Sequence, residues 1–386
     1  MPVNLMIKPA SGNCNMRCKY CFYHDVTENR EVSSYGIMTA DTLEVIVKKA
    51  LENCHDIATF VFQGGEPTLA GFDFFVKLIE FEKKYNVNNV QINNSIQTNG
   101  YVIDDRWAGF FHDNNFLVGL SLDGPKEVND ESRIDAKGEG TFKRILHTAS
   151  VFDSHKVEYN ILTVVSAQVA KNINRIYGFF RKNKFDYLQF IPCLDPLHEE
   201  RGKYPHSLTP ALYADFLKRL FDMWYRDVDG GQFVYIRYFE NLMQIIAGYY
   251  PEACGMLGVC GPHYIIEADG GVYPCDFYVL DQYKIGSILT DSFQQMEEKR
   301  NEIGFVEASR KIEDVCRQCK WYRLCYGGCK RDRQLQADNE IGLNYYCEAY
   351  KEFFEYAADR LVALTRKILE KQRAAASQPQ DLGIGD

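Results

Sequence analysis

The chain has 386 residues, of which 46% are hydrophobic and 25% are charged, and its formal net charge is −9. This composition is ordinary for a globular protein, and the negative charge argues against a nucleic acid or an anionic membrane as partner. No apolar run reaches the length of a membrane span and the N-terminus lacks the basic-then-apolar pattern of a signal peptide, so we expect a cytoplasmic protein. Its thirteen cysteines are therefore better interpreted as metal ligands than as disulfides.

The first half alternates short apolar, β-branched runs with amphipathic stretches, which is typical of βα units and a parallel sheet. The predicted strands are Leu5–Ile7, Ala58–Phe62, Val90–Ile96, Leu117–Leu120, Tyr159–Val165 and Tyr187–Ile191. The predicted helices are Asp41–Leu51, Phe72–Tyr85, Asp104–Asn114, Thr141–Ser154 and Asn172–Lys182. Six units are too few for a closed eight-stranded barrel, so the pattern predicts an α/β fold, a partial (β/α)6 TIM-like barrel.

The alternation stops after Ile191, and we predict two domains and a tail. Residues 193–208 are irregular, and Pro210–Asp227 is predicted to form one amphipathic connecting helix. The barrel with this helix occupies 1–229, and a small cysteine-rich domain with a last helix over about 345–373 occupies 230–373. Residues 374–386 are predicted to be a disordered tail.

Three cysteines follow the first strand at C-x3-C-x2-C spacing, namely Cys14, Cys18 and Cys21. Three thiolates leave one iron of a [4Fe–4S] cluster open to a small molecule with nitrogen and oxygen donors. With aromatic neighbours such as Tyr20, this loop resembles the signature of the radical S-adenosylmethionine (SAM) superfamily. That resemblance implies a partial barrel and a 5′-deoxyadenosyl radical. The alternative is a zinc loop or three incidental thiols.

Polar and glycine-rich turns end the next strands, beginning with the sequence from Gln63 to Pro67, GGEP-type in its last four residues. In a barrel of this kind, functional groups collect on the loops after the strands. The superfamily resemblance implies that five residues bind SAM: Tyr20, Gly65, Ser121, Arg133 and Leu194. The alternative is that these are loop residues without a ligand. Asp123 is predicted to be structural, or to hold residues of the site in place without touching the ligand itself.

The second half contains eight cysteines, enough for two further [4Fe–4S] clusters with full thiolate ligation. Their arrangement resembles the SPASM extension of radical enzymes that modify peptides. That resemblance, and not the spacing, implies that Cys254, Cys260, Cys275 and Cys329 hold a nearer cluster and Cys316, Cys319, Cys325 and Cys347 a farther one. Zinc ribbons are the alternative. Cys54 and Cys193 remain as free thiols, although Cys193 could border the active site.

Asp276 directly follows the ligand Cys275, and almost the whole chain resembles the anaerobic sulfatase-maturating enzymes. Those oxidise a Cys or Ser side chain of a sulfatase to Cα-formylglycine, which implies an oxidoreductase working without oxygen and a role for Asp276 as proton acceptor. A carboxylate taking a proton from a thiol is uphill by about 4.6 pKa units, or about 6 kcal/mol. We therefore hypothesise that hydrogen abstraction at Cβ precedes or accompanies the proton transfer. A surface aspartate that caps a turn is the alternative.

The expected partners are a sulfatase polypeptide and an electron donor such as flavodoxin or ferredoxin. Tyr23, Gln63, Arg237 and Tyr238 are predicted to line a peptide channel.

Two rival functions remain. A peptide maturase forming thioether or carbon–carbon crosslinks often has an added N-terminal domain, for which the early cysteine loop leaves no room. A non-catalytic iron–sulfur electron carrier would bind metal without cleaving SAM. The sequence does not distinguish Cys from Ser substrates.

Overall fold

The computed structural model describes residues 2–333 and 341–376. Ten strands form one sheet in the order β10-β9-β8-β1-β2-β3-β4-β5-β6-β7. From β8 through β1 to β7 all neighbours are parallel, whereas β9 and β10 are antiparallel additions at one edge. The strands are β1 Val3–Ile7, β2 Ile57–Phe62, β3 Gln91–Thr98, β4 Leu117–Ser121, β5 Glu158–Val165, β6 Tyr187–Pro192, β7 Tyr235–Ile236, β8 Tyr264–Ile266, β9 Gly271–Tyr273 and β10 Gly286–Ser287.

The partial α/β barrel predicted from the sequence is confirmed. Each of the six predicted strands is present, with ends that differ by a few residues. In the described residues, β7 and β10 form the two edges and do not pair with each other, so the barrel stays open. The sequence did not reveal β7 to β10, because segments of two or three residues are too short to show a periodic pattern.

Helices alternate with the first six strands and cover the sheet. They are α1 Phe22–Glu28, α2 Ala40–Asn53, α3 Phe72–Tyr85, α4 Asp105–Asp113, α5 Lys126–Ser132, α6 Phe142–His155, α7 Ala167–Lys171, α8 Ile173–Lys182, α9 Pro210–Asp229, α10 Arg237–Ile246, α11 Phe293–Glu302, α12 Phe305–Ser309, α13 Asp314–Arg317, α14 Tyr322–Cys325, α15 Lys330–Arg333 and α16 Cys347–Ala376. None of the described helices is long and apolar enough to cross a membrane.

Local sequence explains where these helices begin. The Thr39 hydroxyl accepts the Thr42 backbone N–H at the start of α2, and Thr209 does the same for Leu212 at the start of α9, where Pro210 occupies the first turn. The predicted connecting helix is α9. The predicted last helix is α16, which extends to Ala376; the rest of the predicted tail, 377–386, lies outside the described residues.

The core lies between the sheet and its helices and is rich in aromatic side chains, such as the fully buried Phe60, Phe62 and Phe75. Ring centroids of Phe62 and Phe75 are 5.2 Å apart in an edge-to-face arrangement. This packing holds the carboxyl ends of β1 to β6 at one edge of the sheet, and the loops that leave those ends form the site described next.

Candidate active site

The three-cysteine loop leaves the carboxyl end of β1 and is fastened by backbone hydrogen bonds. The N–H of Arg17 donates to Ile134 O at 2.8 Å, and the N–H of Met16 points at Cys14 Sγ at 3.4 Å. The backbone N–H of Cys21 donates a hydrogen bond to Cys18 O at 3.1 Å, and Cys21 occupies the N-cap position of α1. The loop therefore holds three sulfur atoms at one end of the barrel.

One cavity of about 900 Å3, including its open mouth, collects the predicted radical-cluster and SAM residues. Its wall contains all three cysteines of the loop and all five predicted SAM residues. Side chains from the ends of β2, β3 and β6 complete the wall. The predicted residues in the lining are Cys14, Cys18, Cys21, Tyr20, Gly65, Ser121, Arg133 and Leu194.

The chemistry of the donor set fits an iron–sulfur cluster. Burial raises the pKa of the Cys14 thiol to about 11 and that of Cys18 to about 12. Bare thiolates are therefore unfavourable at these two positions, and a cationic iron core would be needed to hold both ionised. The same three sulfurs face a cavity wide enough for a second ligand beside the cluster.

Gly65 lies where no side chain would fit. Its φ is +54°, and a Cβ there would lie 2.2 Å from the Asn13 carbonyl oxygen of the cysteine loop. The next residue, Glu66, is 1% exposed and joins two loops: its N–H donates to Asn13 O, and its carboxylate accepts the Asn99 N–H at 2.7 Å. Sequence reasoning missed this role of Glu66, although a buried carboxylate after a strand was a usable signal.

Two predicted SAM residues share a buried partner, Asp123. The Tyr20 hydroxyl donates a short hydrogen bond to the Asp123 carboxylate, and Arg133 Nε lies 3.1 Å from Asp123 Oδ2. Asp123 is fully buried and also accepts the Val164 N–H. Its position behind the cavity wall agrees with the supporting role predicted for it. Ser121 accepts a hydrogen bond of 3.0 Å from Gln97 at the adjacent strand end.

Asp276 lies just behind the cavity wall, and three other side chains contact its carboxylate. Lys8 Nζ donates to its Oδ1 at 3.0 Å, and the Tyr23 hydroxyl donates to its Oδ2 at 2.5 Å. Gln63 Nε2 reaches both Asp276 Oδ2, at 3.3 Å, and the Tyr23 oxygen, at 2.8 Å. Burial and the neighbouring Asp276 raise the pKa of Tyr23, which keeps its proton available for this bond. Asp276 therefore contacts the cavity through Tyr23 and Gln63, both of which line it.

Of the four residues predicted to line a peptide channel, the structure brings Tyr23 and Gln63 to this cavity. Arg237 and Tyr238 lie elsewhere, on α10: the Tyr238 ring packs against Phe239 and against Phe353 of α16. Lys8 was missed as a site residue. A cation directly after a buried strand was the available signal, but its partner is 268 positions away.

The eight cysteines of the second half surround two separate cavities. Cys254, Cys260, Cys275 and Cys329 line one of about 440 Å3, and Cys316, Cys319, Cys325 and Cys347 line another of about 360 Å3. No group of three or more His, Cys, Asp or Glu among the described residues converges tightly enough to hold a single metal ion, as a tetrahedral zinc site requires. Cys54 and Cys193 are both buried and lie outside these cavities.

Comparison with known proteins gives two family matches and close relatives. The radical SAM superfamily matches residues 9–170, and the iron–sulfur cluster-binding SPASM domain matches residues 258–320. A cysteine-type anaerobic sulfatase-maturating enzyme of Clostridium perfringens is 49% identical over 95% of this chain and 99% of its own length. A serine-type enzyme of Bacteroides thetaiotaomicron is 30% identical over 97% of this chain and 94% of its own length.

A solved structure, described as native anSMEcpe with bound AdoMet and Cp18Cys peptide, superposes with a TM-score of 0.91. It is 48% identical in sequence and covers 95% of this chain and all of its own. AdoMet is SAM, so the similar protein binds the cofactor that the cavity residues of this chain were predicted to hold.

Proposed function

This chain belongs to the anaerobic sulfatase-maturating enzymes of the radical SAM superfamily, and we propose that it is of the cysteine type, oxidising a Cys side chain of a sulfatase to Cα-formylglycine. One observation carries the proposal: a single cavity joins the three-cysteine loop, the predicted SAM residues, and Tyr23 and Gln63, two of the three side chains that bind Asp276. The higher identity to a cysteine-type than to a serine-type relative favours Cys as the substrate.

In this proposal Cys14, Cys18 and Cys21 hold one [4Fe–4S] cluster, and the five SAM residues line the space beside it. Bound in this cavity, the cluster and SAM would together supply radical chemistry able to remove a hydrogen from the substrate Cβ. Gly65 lets its turn approach the three-cysteine loop closely, since any side chain would collide with the Asn13 carbonyl oxygen. Arg133, held by Asp123, supplies a buried positive charge toward the carboxylate of SAM.

Asp276 is proposed to accept the proton of the substrate thiol. Its Oδ1 is held by the Lys8 ammonium, and its Oδ2 lies within hydrogen-bond distance of two residues of the cavity wall. The Lys8 ammonium fixes the position of the carboxylate, so that Oδ2 faces the side chains of the cavity wall. Because the thiol is a weak acid, we propose that proton transfer follows or accompanies removal of the Cβ hydrogen.

The two four-cysteine cavities would hold auxiliary clusters, one by Cys254, Cys260, Cys275 and Cys329 and the other by Cys316, Cys319, Cys325 and Cys347. Full thiolate ligation leaves no open iron, which suits both clusters to electron transfer.

We further propose that residues 1–229 form a barrel domain and residues 230–373 an auxiliary-cluster domain. A flavodoxin or ferredoxin is proposed as the reductant, and the protein is proposed to be cytoplasmic. The sheet itself continues past residue 230 through β7.

The test is an anaerobic incubation of the enzyme with SAM, dithionite and a Cys-x-Pro-x-Arg peptide, read by mass spectrometry, with the matched Ser peptide in parallel. Conversion of Cys to formylglycine lowers the peptide mass by roughly 18 Da, and conversion of Ser lowers it by roughly 2 Da. We expect faster conversion of the Cys peptide. Cleaved SAM without mass loss would favour a crosslinking maturase, and bound iron without SAM cleavage would favour an electron carrier.

A further inference from the structure

Lys330 directly follows the cysteine Cys329 and is 5% exposed. Its ammonium lies over three aromatic rings, 3.8 Å from the centroid of Phe305, 5.1 Å from that of Tyr278 and 5.5 Å from that of Tyr283. Such rings attract a cation through their negative faces. Among the described residues no carboxylate forms an ion pair with Lys330, so its charge is held by the rings and is not cancelled.

The same side chain lines the cavity of Cys254, Cys260, Cys275 and Cys329, together with two other basic residues. Arg333, 3% exposed, and His263 both line this cavity. Arg333 Nε and His263 Nε2 are buried, and neither has a hydrogen-bond partner among the described residues. The Arg333 Nε–H is a buried donor, and His263 Nε2 is one in the tautomer that carries its proton there; such donors are costly unless they find an acceptor. The sulfur atoms of a cluster held in this cavity would be such acceptors.

The cavity of Cys316, Cys319, Cys325 and Cys347 has a different wall. Trp321, Tyr322, Tyr350 and Phe354 dominate it. Its basic residue is Lys351, which is 37% exposed and lies 3.0 Å from Glu348 in an ion pair. This positive charge is both screened by water and neutralised, unlike that of Lys330.

A positive charge or a hydrogen-bond donor beside a thiolate-ligated cluster favours the reduced state, which carries one more negative charge. We propose that the Lys330 ammonium raises the reduction potential of the cluster held by Cys254, Cys260, Cys275 and Cys329 above that of the other auxiliary cluster. The inference rests on the cluster assignments of the proposed function. It makes the cluster nearer to Asp276 the better electron acceptor of the two.

The experiment is an anaerobic redox titration of the full chain followed by electron paramagnetic resonance. The Cys14, Cys18 and Cys21 positions are changed to Ala, so that only the auxiliary clusters contribute. Cys260→Ala or Cys319→Ala, each added separately, identifies which midpoint potential belongs to which cavity. We expect the higher potential to disappear with Cys260→Ala and the lower one with Cys319→Ala.

Lys330→Met removes the charge while still filling the aromatic cage, which is the space between the rings of Tyr278, Tyr283 and Phe305. Lys330→Arg keeps the charge. We expect the Met variant to lower the higher potential and leave the other unchanged, and the Arg variant to stay near the parent value. Lys351→Met is the matched control and should leave the higher potential unchanged.

Two outcomes would overturn the inference: unchanged potentials in Lys330→Met with full iron content, or a parent protein whose Cys319-dependent cluster has the higher potential. If Lys330→Met loses iron, the inference is decided by which of the two auxiliary clusters has the higher midpoint potential in the protein without the Lys330 change. Failure of the proposed function is distinguished by the wild-type enzyme, which would then bind iron and titrate normally without forming formylglycine.

Discussion

Lys8 Nζ lies 3.0 Å from Asp276 Oδ1, with the two side chains 3% and 10% exposed. The bond joins the residue after β1 to the residue after the auxiliary cysteine Cys275, so it connects the barrel to the cysteine-rich half of the chain. Lys8 Nζ also lies 4.0 Å from the centroid of the Tyr23 ring, whose hydroxyl binds the same carboxylate. One buried cation thus holds both the carboxylate and the aromatic residue that connects it to the cavity.

Lys8→Met should destabilise the enzyme, because it leaves the Asp276 carboxylate buried without its counter-ion. Breaking a buried pair from one side costs about 3–5 kcal/mol. We expect a lower midpoint of thermal unfolding, measured by circular dichroism on protein with matched iron content. Lys8→Met combined with Asp276→Asn should recover much of the loss, since no unpaired charge remains. Equal midpoints for wild type and Lys8→Met would show that the pair contributes nothing.

Asp276→Asn should slow formylglycine formation by about 10²–10⁴-fold, the usual contribution of a general base. SAM cleavage to 5′-deoxyadenosine should persist, because hydrogen abstraction is proposed not to wait for the proton transfer. Chromatography of both products measures the two steps. Asp281→Asn is the control, since the exposed Asp281 side chain accepts only the Glu31 N–H among the described residues. Loss of deoxyadenosine with intact clusters in Asp276→Asn would contradict the proposed order.

Gly65→Ala should weaken SAM binding, because the added Cβ would lie 2.2 Å from Asn13 O and the residue has a φ of +54°. The left-handed backbone alone costs an alanine roughly 1–2 kcal/mol. The measurement is the SAM concentration that half-saturates the change in the cluster spectrum. Gly71→Ala is the matched control: its φ is +90°, but nothing lies within 4 Å of the added Cβ. Equal half-saturation in both variants would mean that the close contact with Asn13 is unimportant.

Glu82→Gln should stabilise the enzyme at high pH. Burial raises the pKa of Glu82 from 4.5 to about 7, against which a hydrogen bond from Asn94 acts only partly. Glu82 Oε1 and Asn94 Oδ1 are both buried without partners, as expected if a proton on the acid joins them. Because the folded state holds this proton more tightly, stability falls as pH rises through 7, by at most about 3 kcal/mol.

The glutamine amide can donate to Asn94 Oδ1 at any pH, so the variant does not lose this stability. We expect its advantage in thermal unfolding midpoint to be largest near pH 8.5 and to shrink toward pH 6. A difference independent of pH would show that Glu82 does not titrate in this range.

The long elements were predictable because their signals are local. The alternation of apolar strands with amphipathic helices gave the six barrel strands, and the proline at 210 marked the start of the connecting helix. Strands β7 to β10 were missed because their two or three residues are held by neighbours in the sheet and not by their own pattern.

The site could be predicted in part. Residues in loops that follow parallel strands reach one edge of the sheet, and Gly65, Ser121 and the cysteine loop do line one cavity there. That they bind SAM was implied by the superfamily resemblance and not by this rule. Arg237 and Tyr238, also predicted to line a peptide channel, begin α10 and are not in the lining of this cavity, so their role stays a prediction.

The amino-acid sequence by itself determined the inventory: eleven candidate ligand thiols, the strands that position three of them, and the carboxylate beside Cys275. Only the tertiary structure decided which groups meet. The contact of Lys8 with Asp276, the separation of eight cysteines into two cavities and the aromatic cage of Lys330 all join distant segments. Periodicity and spacing report on neighbours within a few residues, whereas these contacts follow from how the whole sheet and its helices pack.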